Sequence, residues 1–447
     1  MTTMDPIYLH LGCGDKKFQG FVNIDLDSPG ADMHLDLTKP LPWEQGTVTG
    51  IYSEHFFEHV AQNQGIRLLH ECRRVLKPGG LVRIAMPDLE SIITDYVEDR
   101  VHPDWARFGM AWTASRCERL NIAMRWWGHQ WIYDEEELRR IGKLVGLEVV
   151  SRCEYGVSED SMLSNREYRE SSQLILEFRK PQRQLKKNDQ PLVSILMPSF
   201  NPRYFETALQ SALAQTYRNL EIWVTDDCRT QGIEEIVLRY AEKDSRIKYM
   251  RNPDAGTDIG RKNHNLAFRQ ASGEFIKFLN DDDWLAPNCV ERMLECFTEH
   301  PDIALVTSKR QRIDKNGEFM ADIGATQAPV STDSRIDGLS LGVALLSTGI
   351  NFVGEPTTVM FRKSDLIEVR PDFMSFDNQA VAWASDVAIY LNLLLKGDAI
   401  YLVEALSHFR VHEEQTQALP ASVSREESDK GWALMRYSWQ RLGLLSS

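Results

Sequence analysis

Twelve residues near the middle of the chain, Lys180 to Pro191, read KPQRQLKKNDQP: charges, amides and two prolines around a single apolar residue. No regular element suits such a stretch, so it reads as a linker. It divides 447 residues, too many for one ordinary core, into two parts. On either side short β-rich runs alternate with amphipathic segments at helical spacing, the pattern of α/β folds. The halves share that class but no repeated motif. The expected boundaries are 1–181 for a first domain, 182–191 for the linker, 192–416 for a second domain and 417–447 for a helical tail.

With 43% hydrophobic residues and eleven Trp, both parts can bury a core. A net charge of −14 argues against an extended nucleic-acid footprint, so no nucleic-acid partner is expected. No apolar run approaches the length of a membrane span, and the polar start MTTMDPIYLHLGCG lacks a signal-peptide pattern; a soluble, cytoplasmic protein is expected. Seven cysteines, an odd number with no C-x-x-C pair, favour reduced thiols over disulfides or a structural zinc site, and all seven read as small buried residues.

In the second half VSILMP is a buried-strand candidate, followed by a helix with Phe205, Ala208, Leu209, Ala212 and Leu213 on one face. LEIWVT is a strand ending at Asp226-Asp227; RIKYM follows, then a polar helix from about Asp258 to Gln270. The next strand, in FIKFLNDDDWLAP, runs straight into Asp281, Asp282 and Asp283. Acidic residues at the carboxyl ends of two strands of one open sheet would line its ligand crevice. A divalent cation resolves the repulsion among three adjacent carboxylates, and oxygen ligands suit Mg²⁺ or Mn²⁺. For Asp283 alone the alternative is a carboxylate favouring the dipole of the helix in PNCVERMLECF.

These blocks, with GEPTTVMFR and SDVAIYLNLLLKGDAIYLVEALSHFRVH further on, resemble the GT-A glycosyltransferases of family 2 from about Leu192 to Thr416. The resemblance implies inverting transfer of a sugar from a nucleotide-sugar donor to a glycan or lipid-linked acceptor. By matched position Pro198, Ser199 and Asn201 lie in the first nucleotide loop, Asp227 meets the base, and Arg261 and Asn265 face the donor. Asp281 matches the acid on the donor ribose, and Asp282 the metal acid, with Asp283 beside it. Asn280 stands where many members have the first Asp of the motif. Asp386 matches the catalytic base that takes the acceptor proton, the alternative being a helix cap by Ser385 or Asp386. His412 matches a position that helps hold the metal and diphosphate, and Glu355 one near the acceptor.

The first half carries YLHLGCGDKKFQGFVNIDL. An apolar strand ending in Gly12-Cys13-Gly14 lets a ligand approach the backbone, and Asp25 at the next strand end could grip ribose hydroxyls. The ten residues between Gly14 and Asp25 leave little room for a crossover helix. With GIYSEHFFEHV, VLKPGGLVRIAMP and YDEEELRRIGKLVGLEVV, the segment from about Asp5 to Lys180 resembles class I S-adenosylmethionine-dependent methyltransferases, which have a Rossmann-like fold. That implies S-adenosylmethionine flanked by Gly12 and Gly14, its ribose at Asp25, its adenine near Asp36, and a cleft lined by Ser53 and His55. Glu58 and His59 are acid-base candidates for methyl transfer, or residues that cap and pack. VLKPGG reads as a helix end with a glycine cap.

The expected protein is therefore a two-domain enzyme of surface polysaccharide synthesis, with a GT-A domain and a methyltransferase-like domain that either methylates or only docks. A sugar nucleotidyltransferase would open with a Gly-rich loop after the first strand, whereas MPSFNPRYFE has no glycine; a non-catalytic glycan-binding scaffold is the third class. The tail WALMRYSWQRLGLL would pack on the transferase core or touch a membrane surface from the cytoplasmic side. Oligomeric state, donor sugar and acceptor are not legible.

Overall fold

A computed structural model describes residues 5–101, 109–110, 112–186, 189–253, 260–413 and 421–445, without the side chains of 421–424. The expected helix start at Asp258, the middle of the linker at 187–188 and the segment 414–420 around the expected domain end lie outside the described residues. The chain forms two compact units, Met1–Gln182 with Gln440–Ser447, and Arg183–Trp439.

The first unit contains β1 (Tyr8–Leu11), β2 (Val22–Asp25), β3 (Met33–His34), β4 (Val48–Glu54), β5 (Leu76–Met86), β6 (Glu148–Arg152) and β7 (Leu174–Arg179). They form one sheet in the order β3-β2-β1-β4-β5-β7-β6, with β7 antiparallel to both its neighbours. Its helices are α1 (Gln62–Val75), α2 (Leu89–Glu98), α3 (Arg116–Arg125) and α4 (Glu135–Leu144). The order 3-2-1-4-5 is that of a Rossmann-like sheet, and its direction reverses between β1 and β4, which is where such sheets open a ligand crevice. The β1–β2 connection holds no helix, as its length predicts. Aromatic packing fills it instead, with the His10 ring stacked on Phe18 at 4.5 Å. Under the sheet Arg83 is fully buried between two carboxylates, Glu167 at 2.5 Å and Glu177 at 2.8 Å.

One expectation is corrected here. The α1 helix ends at Val75 and the capping residue is Leu76 in extended conformation, so Gly79 and Gly80 lie within β5 and cap nothing. Pro78 is the reason: it disfavours helical backbone at the residue before it and supplies no amide.

The second unit contains β8 (Val193–Ser199), β9 (Leu220–Asp226), β10 (Ile247–Arg251), β11 (Phe275–Phe278), β12 (Trp284–Leu285), β13 (Leu305–Ile313), β14 (Ser334–Ile336), β15 (Val359–Arg362), β16 (Ser375–Phe376), β17 (Gln379–Ala380) and β18 (Ala399–Arg410). Its main sheet runs β10-β9-β8-β11-β15-β13-β18-β12, with β14 on β18. The first four strands are parallel, and β15 is antiparallel to both β11 and β13. This is the mixed sheet of a GT-A fold. Around it lie α5 (Pro202–Leu213), α6 (Gly232–Ala241), α7 (Arg261–Gln270), α8 (Cys289–Glu299), α9 (Gly338–Thr348), α10 (Ser385–Leu394) and α11 (Ala421–Arg441).

The α5 helix starts where the Asn201 side chain accepts from the Arg203 amide at 3.0 Å and Pro202 occupies the first turn, which needs no donor. It buries Phe205, Ala208, Leu209 and Ala212 on the spacing read from the sequence, and burying Phe205 alone contributes roughly 2–3 kcal/mol. In α11 Met435 and Trp439 are buried in this unit, Trp439 against Gly342 of α9. The cysteines are all free, and five are buried; Cys117 is exposed on α3 and Cys153 half-buried, contrary to the reading of all seven as buried.

Candidate functional site

β11 buries Phe275, Ile276, Lys277 and Phe278 and delivers the acidic cluster to the carboxyl end of the sheet. The three carboxylates then meet different partners. Asp281 Oδ2 accepts from the amides of Phe200 (2.6 Å) and Asn201 (2.7 Å) in the loop after β8. Asp282 Oδ2 stands 3.2 Å from His412 Nε2, just beyond β18. Asp283 turns inward, accepting from Thr357 Oγ1 at 2.8 Å and from the Arg410 amide at 3.1 Å.

Burial, and then the charge of Asp282, push Asp281 up to about 7, and the same causes hold Asp283 well above the usual carboxylate range. Cationic groups answer part of that charge. The buried Lys277 donates to the Thr357 carbonyl, and Arg410 Nε donates to the Asp282 carbonyl at 2.9 Å while its guanidinium lies 4.3 Å from the Tyr204 ring. The donor set fits a divalent cation: one carboxylate oxygen and one imidazole nitrogen converge at Asp282 and His412 among further carboxylates. A mixed oxygen–nitrogen pair suits Mn²⁺ better than Mg²⁺. Asp283 lies outside that pair, because its oxygens hold Thr357 and β18 in place.

Asp386 is the second residue of α10, two positions after Ala384, which is left-handed at φ +61°, and no side chain caps this helix. Neither Ser385 nor Asp386 therefore has the capping role. Asp386 Oδ2 accepts from Asn351 Nδ2 at 2.7 Å, and Oδ1 from the Val387 amide at 2.9 Å. Asn351 also bonds Gly354 twice, at 2.8 and 3.0 Å, and Tyr390 donates to the Gly354 carbonyl at 2.8 Å. The loop bearing Glu355 is thus stapled to Asp386. Glu355 Oε2 lies 2.9 Å from Arg310 Nε. Burial pushes Asp386 up to about 6 and the charge of Glu355 adds to it; burial also raises Glu355, which feels Asp282 in turn. Asp282, Glu355 and Asp386 share one electrostatic neighbourhood.

The donor-side residues are placed less uniformly. Asp227 sits at the end of β9, its amide donating to the Ser199 carbonyl at 2.8 Å and its Oδ1 accepting from Asn252 at 3.1 Å. Pro198 and Ser199 are buried within β8, and Asn201 caps α5. Arg261 and Asn265 are not brought to this group: Arg261 grips Asp372, Ser375 and the Val381 carbonyl, and Asn265 donates to Asp372 at 3.1 Å. Sequence reasoning missed Asn351, Arg310 and Thr357. Asn351 stands four residues before Glu355, but an uncharged amide carries no signal of its own.

In the first unit a cleft of about 360 Å³ opens at the β1–β4 reversal, lined by Gly12, Gly14, Asp25, Glu54, His55 and Phe56 among others. Gly14 adopts φ +50° with open space where a Cβ would stand, so a ligand can approach its backbone. Asp25 accepts from the amides of Gly14 (2.9 Å), Asp27 and Ser28 (both 3.1 Å). These bonds outweigh its burial and lower its pKa. Asp25 keeps its carboxylate on the wall of the cleft beside the open backbone of Gly14, so the residues fit an adenosyl group. At Gly12 the Phe56 ring covers the backbone, 2.5 Å from an ideal Cβ. Asp36 is exposed and bonded to Thr38 Oγ1 at 2.6 Å, and Ser53 is buried and donates to the Leu11 carbonyl at 3.2 Å; neither borders the cleft. Glu58 and His59 lie on a short 3₁₀ turn, Phe57–His59, where His55 Nδ1 is 3.0 Å from Glu58 Oε1. Burial would raise the Glu58 pKa, but the pair with His55 lowers it.

Residues 194–366 match the model of the Glycosyl transferase family 2, and residues 10–84 that of a Methyltransferase domain. An uncharacterized glycosyltransferase of Nostoc sp. is 28% identical over 245 residues, 54% of this chain and 71% of that protein. The GalNAc(5)-diNAcBac-PP-undecaprenol beta-1,3-glucosyltransferase of Campylobacter jejuni is 29% identical over 52% of this chain and 69% of its own length. The match with the putative glycosyltransferase EpsH of Bacillus subtilis, 31% identical, spans 30% of this chain and 39% of that protein. Among solved structures, residues 1–349 of S. aureus TarS in complex with UDP superpose with a TM-score of 0.41 and 20% identity, over 54% of this chain and 64% of that one. The chain thus joins, in one polypeptide, a segment matching the family 2 glycosyltransferases, residues 194–366, to an N-terminal segment matching a methyltransferase domain, residues 10–84.

Proposed function

We propose that the chain transfers a sugar from a nucleotide-sugar donor, with inversion and with the help of Mn²⁺ or Mg²⁺, to a glycan or lipid-linked acceptor during surface polysaccharide synthesis. The observation that carries this reading is the half-buried neighbourhood of Asp282, Glu355 and Asp386, with His412 at Asp282 and Asn351 at Asp386. Asp386 accepts the proton of the acceptor hydroxyl as that oxygen attacks the anomeric carbon. Its raised pKa leaves it ionised near neutrality yet basic enough to hold the proton. Asn351 fixes the orientation of the carboxylate, and Glu355, held by Arg310, stands ready for acceptor hydroxyls. Asp227 and the loop after β8 receive the nucleotide. When bound at Asp282 and His412, the cation supplies charge neutralisation for the leaving diphosphate. The Campylobacter relative's name specifies an undecaprenol-linked acceptor, which supports a lipid-linked acceptor here. Among the described residues no helix is long and apolar enough to cross a membrane. On this reading the enzyme meets such an acceptor peripherally, at the cytoplasmic face.

For the first unit the reading is methylation with S-adenosylmethionine, supported by the open backbone at Gly14 and the carboxylate of Asp25. Phe56 over Gly12 favours a second reading, a docking domain without chemistry.

The test is hydrolysis of a panel of nucleotide sugars with Mn²⁺ by wild type, by Asp282→Ala and by metal-free protein. Turnover of one donor that vanishes in both controls is expected; turnover that persists in both would overturn metal-dependent transfer. Calorimetry with S-adenosylmethionine separates the two readings of the first unit.

A further inference from the structure

The segment Gly128–Trp131, between α3 and α4, is fastened to the turn Phe57–His59. The amides of Gln130 and Trp131 donate to the Glu58 carbonyl at 2.7 and 3.2 Å, and Gln130 Nε2 donates to the His59 carbonyl at 2.8 Å. These bonds bring His129 against residues seventy positions earlier in the chain: its ring centroid is 4.9 Å from that of His59. One donor atom from each of Glu58, His59 and His129 lies within 4.8 Å of the others. Metal bonds of about 2.0–2.2 Å at tetrahedral angles set donors about 3.4 Å apart, so closing the site takes modest rotation of the imidazoles.

Three further observations single out these groups. Glu58 is fully buried, and neither of its carboxylate oxygens accepts a hydrogen bond among the described residues. The His55 ring stands at Oε1, with Nδ1 3.0 Å away, and leaves Oε2 without a hydrogen-bond partner among the described residues; a buried carboxylate with so few partners is uncommon. His129 Nδ1 lies 2.7 Å from the Ala123 carbonyl. A carbonyl can only accept, so Nδ1 carries the proton and Nε2 keeps its lone pair, the arrangement in which a ligating histidine is oriented by a backbone acceptor. His59 and His129 both line a cavity of about 610 Å³, so a metal held there faces open space on one side.

We infer that Glu58, His59 and His129 form a binding site for one first-row transition-metal dication, Zn²⁺ foremost, with an open coordination position facing that cavity. Two imidazoles and one carboxylate are the donor set such ions prefer over Mg²⁺ or Ca²⁺, and three protein ligands leave the fourth position for water or for an oxygen of whatever enters the cavity. These three residues belong to the first unit, whereas Asp282 and His412 belong to the second.

The experiment uses the full chain carrying Asp282→Ala, so that the other cation site is disabled, stripped with a chelator and titrated with ZnCl₂ by calorimetry. A parallel titration with Co²⁺ follows visible absorption. One Zn²⁺ per chain is expected, together with the intense Co²⁺ bands of a low-coordinate nitrogen–oxygen site. His129→Ala and His59→Ala should each weaken Zn²⁺ binding by about tenfold or more and abolish the bands. Cys117→Ser, which removes the exposed thiol on α3, should leave both unchanged. Far-UV circular dichroism checks folding, and His129→Gln, which keeps most of the side-chain volume, serves if the alanine variant unfolds. No Zn²⁺ binding in the Asp282→Ala chain, or binding indifferent to His59→Ala and to a folded His129 variant, would overturn the inference.

Discussion

Asn351 Nδ2 lies 2.7 Å from Asp386 Oδ2 and 2.8 Å from the Gly354 carbonyl, so one amide orients the proposed base and fixes the loop that carries Glu355. Removing it in Asn351→Ala takes away both. The expected result is a fall in kcat of about 10–100-fold with KM for the donor little changed, since positioned general bases contribute about 10²–10⁴-fold in rate. Steady-state kinetics of the variant beside Asp386→Asn, which removes the base itself, would check this. A large rise in donor KM without loss of kcat would show that Asn351 serves binding instead.

The pH profile follows from Asp386. Burial pushes its pKa up to about 6, and a base must be ionised, so activity should fall about tenfold per pH unit below that value. The bond from Asn351 lowers this pKa, so in Asn351→Ala the acid limb of the residual activity moves to higher pH. Stability runs the opposite way. Between the unfolded value near 4 and the folded value near 6 the folded state holds the extra proton, so ionisation at higher pH penalises the fold. Asp386→Asn should be more stable than wild type at pH 7–8 by about 1–3 kcal/mol, with the difference shrinking toward pH 4. Denaturant melts at both pH values measure it.

His412 supplies one of two convergent donors at the proposed cation site, 3.2 Å from Asp282 Oδ2, and its ring lies 5.0 Å from Tyr204. In His412→Ala the Mn²⁺ concentration giving half-maximal donor hydrolysis should rise about tenfold or more, with activity partly restored at high Mn²⁺. Unchanged Mn²⁺ dependence would assign His412 to packing alone.

Asp282 and His412 are 130 positions apart, and no periodicity joins them; only the resemblance to a family did. Local structure was more legible. Phe205, Ala208, Leu209 and Ala212 marked α5, and the apolar run before Asp281 marked β11, because burial imposes a period on the sequence. Ser53 shows where that reading stops. β4 is buried on both faces, so alternation does not say which way a side chain points, and Ser53 turned out to hold β1 rather than line the cleft. Arg261 and Asn265 depend on where Asp372 lies, more than a hundred residues on, which no local pattern encodes. Glu58 and His59 were visible as chemical residues, but His129 became their neighbour only through three backbone-directed hydrogen bonds.

Trp439 of α11 fills the space above Gly342 in α9, where an ideal Cβ would come within 2.1 Å of the indole. Gly342→Ala should therefore destabilise the glycosyltransferase unit by about 1–3 kcal/mol through overpacking. Trp439→Ala should cost about 3–5 kcal/mol through the cavity left behind. In the double variant part of the Gly342→Ala penalty should vanish, because the clash has gone. Chemical denaturation of the three variants and wild type closes the cycle; additive losses would place the two residues in separate environments.

Ala384 is an alanine in a left-handed conformation that glycine adopts freely, at a cost of about 1–2 kcal/mol. The bend it makes brings Asp386 into the first turn of α10 with its carboxylate turned to Asn351. The aim of the base is written in the backbone two residues ahead of it, much as a gun is laid by its carriage. A glycine at this position would hold the same bend without that cost, so the strain belongs to the alanine while the aim of the carboxylate belongs to the bend and to Asn351.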